Sequence, residues 1–239
     1  MWKTHESLEN TEETRYEFPS GENGMNVWMR MFEALFDAFG PQHWWPGETP
    51  LEVAIGAILT QNTNWRNVER AIQNLKERDL IDVDKLLKLS EDELKELIRP
   101  SGFFNVKARR LRNFLEFLKE HGGLEGLKKF DTYEVRQMLL HVPGIGFETA
   151  DSIILYALEK PIFVVDAYTR RYLKRHGFIE GTEHYDEIRK LFEDNLPKDV
   201  ELYKEYHALI VKLGKVYCKS KPVCENCPLN KKEFWRNEK

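Results

Sequence analysis

Five groups of residues in this 239-residue chain have types and spacings that could do chemistry. Gly144-Ile145-Gly146, preceded by Pro143, is a tight turn feeding a helix that opens with Glu148, Thr149 and Asp151. Glycines let the backbone turn with positive φ and approach another molecule closely. A helix start leaves about four N–H groups without partners and carries roughly half a positive charge, so this turn can grip a phosphate. Asp166 follows a short apolar run and is either a helix cap or a carboxylate for acid–base or electrostatic work. Cys218, Cys224 and Cys227 are the chain's only cysteines, at Cys-x5-Cys-x2-Cys. Thiols at this density point to zinc or an iron–sulfur cluster, or to plain thiols, rather than to a disulfide framework. Trp44, Trp45 and Pro46 make an aromatic loop that either packs two parts of the fold together or walls a pocket for a flat ring. Finally, a nearly all-apolar helix ends in the polar run Thr60-Gln61-Asn62-Thr63-Asn64, which caps the next helix or presents side chains to a partner.

The elements that must position these groups read as helices. Val27 to Phe39 has apolar residues at helical spacing and stops at Gly40-Pro41. Pro50 sits at the favoured first position of the next helix, which runs past Ile58 and is apolar enough to be buried. Trp65 to Lys76 is amphipathic, and Ser90 with Glu93 forms a capping box for Asp92 to Ile98. Phe103 to Glu120 is a long helix with Phe104, Ala108, Leu111, Leu115 and Leu118 inward and Lys107, Arg109, Arg110 and Arg112 outward. Asp131 to Leu140 leads into the glycine turn. Ala167 to His176, His184 to Asn195 and Glu201 to Val216 complete the set. No stretch of useful length alternates with period two, so the expected fold is all-α.

Composition narrows the function classes. No run approaches the roughly 20 apolar residues of a membrane span, and 32% of residues are charged, so a soluble, cytoplasmic protein is expected. Residues 1–24 carry the whole net charge of −4 and read as a flexible acidic leader, while the rest balances. A neutral body gives no general basic face for nucleic acid, so clustering matters more. Basic residues cluster at Lys107–Arg112, Arg170–Arg175 and Lys212–Lys221.

Taken together and in order, Ile58-Leu59-Thr60-Gln61-Asn62-Thr63, Gly102-Phe103-Phe104-Asn105-x-Lys107-Ala108, Val142-Pro143-Gly144-Ile145-Gly146, Val164-Val165-Asp166 and the cysteine loop make the chain resemble the helix-hairpin-helix DNA glycosylases of the endonuclease III superfamily. The resemblance spans about residues 27–228. Trp44-Trp45-Pro46 and Pro100-Ser101-Gly102-Phe103 bring it nearest the monofunctional branch of MagIII-type 3-methyladenine glycosylases and archaeal uracil-DNA glycosylases.

The resemblance implies two helical lobes around a central cleft. One lobe would hold residues 25–48 and 160–216, the other, a helical barrel with the hairpin, residues 49–159. Residues 217–239 would be the cysteine loop and tail. The partner it implies is double-stranded DNA with a damaged or mispaired base, bound by a monomer, with no membrane. Gln61 would fill the gap left by a flipped nucleotide, and Asn62 would be a DNA contact next to it. Gly144, Ile145 and Gly146, with a monovalent cation, would hold a backbone phosphate, and Lys107 and Arg171 would be further DNA contacts. Asp166 would be the catalytic carboxylate, and Trp44, Trp45 and Pro46 the base pocket. Glu148 is a second polar group in that pocket or a favourable first-turn acid.

Two departures from the family pattern count. Bifunctional members carry a lysine two residues after the hairpin's last glycine, where this chain has Glu148, so no efficient lyase step is expected. The family's cysteine loop, Cys-x6-Cys-x2-Cys-x5-Cys, is one residue shorter here in its first gap, and Glu233 stands where the fourth cysteine belongs. Cys218, Cys224 and Cys227 would thus hold a [4Fe-4S] cluster lacking one thiolate, zinc, or no metal. The expected activity is hydrolysis of one N-glycosidic bond in base excision repair, on uracil or thymine in mispairs or on an alkylated purine. The alternatives are a bifunctional glycosylase/lyase using another amine, such as Lys107 or the N-terminus, and a non-catalytic helix-hairpin-helix DNA-binding module.

Overall fold

Twelve helices among the described residues enclose one continuous apolar core. The computed structural model of the chain describes residues 26–42, 44 and 47–236. The acidic leader and two of the three pocket candidates, Trp45 and Pro46, lie outside the described residues.

Local signals set most helix starts. Asn26 caps α1 (Val27–Phe39) by accepting the Met29 N–H, and α1 ends at Gly40, whose φ of +66° suits glycine. Thr49 caps α2 (Pro50–Leu59), and Asn64 caps α3 (Trp65–Lys76). Two helices absent from the sequence expectations follow or adjoin known ones. They are α4 (Val83–Lys88), capped by Asp82, and α7 (Gly123–Leu127). Between them lie α5 (Glu91–Ile98), with its Ser90–Glu93 capping box, and α6 (Phe104–Glu120). A second capping box, Asp131 with Glu134, starts α8 (Thr132–Leu140). The hairpin then enters α9 (Phe147–Ser152), which runs into a wider π turn over Ile153–Ala157. A single π turn shifts the hydrogen-bond register and re-aims the side chains around it. The chain ends with α10 (Ala167–Arg175), α11 (Tyr185–Glu193), α12 (Val200–Val216) and a short 3-10 turn at Lys232–Phe234. No strand occurs among the described residues, and no helix among them is long and apolar enough to cross a membrane.

Two helices organise the packing. In α2, Val53, Ala54, Ile55, Ile58 and Leu59 are buried, and the helix packs on α3, α6, α9 and the π turn. In α12, Leu202, Tyr203, Tyr206, Leu209, Ile210 and Leu213 are buried, and the helix packs on α1, α10 and the π turn. The Tyr206 hydroxyl donates to the Trp28 carbonyl at 2.9 Å while its ring meets Phe32 edge-on, which fixes α1 against α12.

A charged network then holds the hairpin and the strand-like stretch before Asp166. Arg136 of α8 grips Asp151 of α9 with two bonds, Nε to Oδ1 at 2.6 Å and a terminal nitrogen to Oδ2 at 3.2 Å. That same nitrogen reaches Asp186 of α11 at 2.6 Å. Arg189 pairs with Asp186 and Glu193, and Glu193 accepts the Phe163 N–H at 3.0 Å. The Tyr185 hydroxyl receives the Val165 N–H at 3.1 Å. Burial is deep: Arg136 is 3% exposed and Asp151 fully enclosed. Burial raises the Asp151 carboxyl to about 6 despite its two bonds from Arg136.

Candidate active site

Asp166 sits where the clamped 161–166 stretch turns into α10. Its Oδ1 accepts both the Thr169 N–H, at 2.7 Å, and the Thr169 hydroxyl, at 2.9 Å, so it caps the helix. Capping spends only one oxygen. The other, Oδ2, is 3.6 Å from His207 Nε2, and the side chain is 13% exposed. Burial works to raise its pKa, but the His207 imidazole beside it and the two Thr169 donors hold it below the ordinary value. The result is a largely enclosed carboxylate that stays ionised, with one oxygen free.

His207, on α12, stands beside Asp166 and was not among the candidates read from the sequence. It is 4% exposed, and its Nδ1 lies 2.6 Å from the Tyr156 hydroxyl on the π turn. Trp44 closes over the pair, its ring centroid 5.4 Å from His207 and 5.8 Å, edge-on, from Tyr156. Of the three pocket candidates Trp44 is the one described, and the structure brings it beside Asp166 through these two rings. No spacing signal ties residue 207 to residue 166, so nothing in the one-dimensional pattern could have flagged His207.

Glu148 opens toward solvent on the first turn of α9. Desolvation by its neighbours, then the Asp166 charge, raise its pKa. Glu148, Asp166 and His207 are close enough for the charge of each to act on the others. Two carboxyls pushed in opposite directions within one site can hold different protonation states.

On the hairpin, Gly144 has a φ of +99°, and a Cβ there would fall 2.2 Å from Arg110 Cγ. Only glycine fits. Gly146 departs from expectation: it is the extended N-cap of α9, with φ −95°, and does not use left-handed backbone. Ile145 between them is buried and anchors the turn in the core. Gln61 is tied to this hairpin. Its amide nitrogen donates to Thr149 Oγ1 at 2.9 Å and to the Gly144 carbonyl at 3.3 Å, and its oxygen accepts from Arg110. Arg110, on α6 and in the Lys107–Arg112 basic cluster, thus touches both the hairpin and Gln61.

Two basic candidates are corrected. Lys107 does not face outward with its neighbours: it is 1% exposed, and its ammonium donates to the Leu59 and Ser101 carbonyls, both at 2.7 Å. Burial and the nearby Arg110 charge lower its pKa to about 8. Lys107 lies four residues before buried Leu111, on the apolar arc of α6, so helical spacing held this signal. It is a bracket between the loop carrying Gln61 and Asn62 and the turn carrying Phe103. Arg171 likewise turns inward, donating to the Cys218 carbonyl at 2.6 Å and the Gly214 carbonyl at 3.4 Å. Arg175 does the same for the Lys219 and Ser220 carbonyls and lies 3.2 Å from Cys218 Sγ. These arginines dock the cysteine loop onto α10.

The bracketed loops share an unusual backbone. Asn62 (φ +54°) and Phe103 (φ +47°) are both left-handed. Asn tolerates this, but a left-handed Phe costs about 1–2 kcal/mol. Phe103 is also 69% exposed, the most exposed large apolar side chain among the described residues. Strain and exposure together at one aromatic mark a functional surface more than a packing accident.

The cysteine loop does not fit a four-thiolate cluster. Cys218, Cys224 and Cys227 line one cavity, but no three metal-binding side chains converge on a common ion position among the described residues. Glu233, in the fourth cysteine's place, bonds Arg30 of α1 at 3.1 Å. Protein contacts hold the loop: His176 stacks on Trp235 at 4.3 Å, its Nδ1 meets the Phe234 carbonyl at 2.8 Å, and Leu229 and Phe234 are buried.

Comparison with known proteins agrees with this geometry. Residues 55–198 match the family described as HhH-GPD superfamily base excision DNA repair protein. A Methanocaldococcus jannaschii protein provisionally assigned as a DNA repair glycosylase is 54% identical over 216 residues, covering 89% of this chain and 97% of the relative. Endonuclease III of Thermotoga maritima is 32% identical over 190 residues, covering 78% and 84%. Among solved structures, H. pylori 3-methyladenine DNA glycosylase (MagIII) bound to 1,N6-ethenoadenine superposes with a TM-score of 0.66 at 31% identity, covering 80% of this chain and 98% of that one. A non-covalent endonuclease III–DNA complex, 23% identical with a TM-score of 0.73, covers 88% and 97% and shares the fold.

Proposed function

The chain belongs to the HhH-GPD superfamily of base excision DNA repair proteins and is a DNA glycosylase, and we propose that it is a monofunctional one, hydrolysing the N-glycosidic bond and stopping at the abasic site. The observation that carries this is Glu148, an acid beside Asp166 where the lyase branch has its amine. The described alternative amine, Lys107, is buried under two carbonyls and cannot reach a sugar carbon.

Double-stranded DNA is the partner, and the target base must leave the stack before any side chain can reach it. Gln61 and Phe103 stand on the two loops that Lys107 brackets, and both are offered to the duplex as plugs for the vacated space. The hairpin at Gly144–Gly146 holds a backbone phosphate and sets register. Glycosidic cleavage builds positive charge on the sugar. The fixed Asp166 anion, poorly solvated, stabilises that charge more than it does the neutral ground state, and it orients the attacking water. Trp44 supplies a flat wall, and a cationic alkylated purine gains most from stacking there. The substrate proposed first is therefore an alkylated purine, and the similar H. pylori enzyme MagIII is seen bound to a modified adenine, 1,N6-ethenoadenine.

Duplex oligonucleotides carrying 3-methyladenine, uracil, or thymine opposite guanine test the reading. Alkali-labile product from the alkylated strand, with no nicking before alkali and no borohydride-trapped adduct, is expected. Release from uracil or thymine strands alone would move the substrate assignment to mispaired pyrimidines. A trapped covalent adduct would overturn the monofunctional assignment.

Phe103 gives a two-sided prediction. Phe103→Gly removes the left-handed strain and should raise Tm slightly, by the equivalent of about 1 kcal/mol or less. The same change should weaken binding to lesion duplex about tenfold or more, since aromatic–base stacking is worth about 1–3 kcal/mol. Thermal melts and fluorescence anisotropy read the two effects independently.

A further inference from the structure

We infer that His207 is a positioning residue for Asp166, held by Tyr156 in the tautomer that aims an N–H at the free carboxylate oxygen. The inference rests on the assignment of Asp166 as the catalytic carboxylate.

His207 Nε2 is buried and has no hydrogen-bond partner. Such an atom is costly in a core unless the site completes it in another state. The nearest acceptor is Asp166 Oδ2, 3.6 Å away, beyond a formed bond but within reach of a small torsion of either side chain. Asp166 cannot turn freely, because Thr169 holds Oδ1 with two donors. Only Oδ2 remains to meet both His207 and the reacting sugar.

Tyr156 decides which imidazole nitrogen carries the proton. Its phenol is fully enclosed, and burial, then the charges of Asp166 and Glu205, raise its pKa well above the ordinary value. It therefore stays protonated, and we take it as the donor to His207 Nδ1, 2.6 Å away. A neutral imidazole that accepts at Nδ1 must bear its hydrogen at Nε2, facing Asp166. The π turn at Ile153–Ala157 presents Tyr156 at this position, which gives the register shift a functional consequence.

A neutral N–H donor suits the reaction better than a full cation would. It favours the ionised form of Asp166 and fixes its direction, yet leaves the net negative charge available to the developing positive charge on the sugar. The titratable groups facing His207 are Asp166 at the α10 cap, Glu148 on α9 and Tyr156 on the π turn. Trp44 covers the remaining side and brings no charge.

The test uses the full-length chain and whichever lesion duplex the wild type cleaves in single-turnover assays. His207→Phe should lower the chemical rate about 10- to 100-fold with duplex Kd within about twofold of wild type. The acid limb of its pH–rate profile should move to higher pH, because Asp166 loses a donor that favours its charged form. His207→Gln, whose amide N–H can reach the Nε2 position, should recover much of the rate and return the acid limb toward wild type. Tyr156→Phe should produce a smaller loss in the same direction by releasing the tautomer. An unchanged rate and acid limb in His207→Phe would overturn the inference. So would equal losses in Phe and Gln variants that track a fall in Tm, which would mark His207 as packing alone. If His207→Phe does not fold, Tyr156→Phe decides: a wild-type rate and acid limb there sinks the proposal. Wild-type protein that releases no base from any duplex would instead defeat the catalytic reading of the site.

Discussion

Asp166→Asn is expected to lower the single-turnover rate of base release by at least about a hundredfold, the scale seen when one preorganised electrostatic partner of a transition state is removed. Binding of lesion duplex should stay within about threefold of wild type. The substitution is chosen because it separates the two duties of this side chain. Asn caps helices about as well as Asp, so the Thr169 contacts and the start of α10 should persist. What disappears is the negative charge at the oxygen facing His207. A melting temperature near that of wild type, with the rate lost, identifies charge rather than structure as the cause. The pH profile gives the same answer from the opposite direction. Asp166 is held below its ordinary pKa, so wild-type activity should persist as pH falls through the usual carboxylate range and fail only below it. Full activity in Asp166→Asn would remove Asp166 from the mechanism.

The second large effect concerns stability. Arg136→Leu strips the partner from Asp151, which has no solvent access, and also removes a bond to Asp186. Breaking a buried pair from one side leaves an uncompensated charge and costs about 3–5 kcal/mol. For a domain of this size, that corresponds to a drop in Tm on the order of 10 °C. The sign of its pH dependence follows from Asp151. Its folded pKa is raised to about 6, above the unfolded value, so the folded state holds the extra proton. Stability from this group is fully present below the unfolded pKa and is lost as pH rises through the folded one. Without Arg136 the folded pKa should climb further, so the deficit of the variant should be larger at pH 8 than at pH 5. Thermal melts at both pH values check this. A double change, Arg136→Leu with Asp151→Leu, should restore part of the loss, as replacing both members of a buried pair often does.

How much of this was legible before folding depended on how local each signal was. The bounds of α1 and α3 could be read from apolar spacing with Asn26 and Asn64 at their starts, and the capping box at Ser90 marked α5. The helices α4 and α7 were missed because six and five residues are too few for a periodicity to stand out. The π turn carried no local signal in the sequence; in the fold it packs against α2 and α12. Within the candidate site, Asp166, Glu148, Gln61 and the hairpin were proposed through the resemblance that their order and spacing carry. His207 and Tyr156 were not, because their meaning comes from neighbours brought together only by folding, and Arg110 stood out only as one member of a basic cluster. Lys107 is the instructive error. Charge suggested an outward residue, while its place one turn before Leu111 put it on the buried arc. Where charge and periodicity disagreed, periodicity won, because two carbonyls were waiting to satisfy the ammonium.

That buried lysine has a mechanical consequence. It joins the loop after α2 to the turn before α6, and Arg110, three residues further along the same helix, joins both Gln61 and the hairpin. The Gln61 loop, the Phe103 turn and the hairpin are therefore tied through one helix. On the function proposed above, the three would press on the duplex together, so the DNA would do the yielding. Recognition would begin as a test of its stiffness, which a base pair weakened by damage fails before a sound one does.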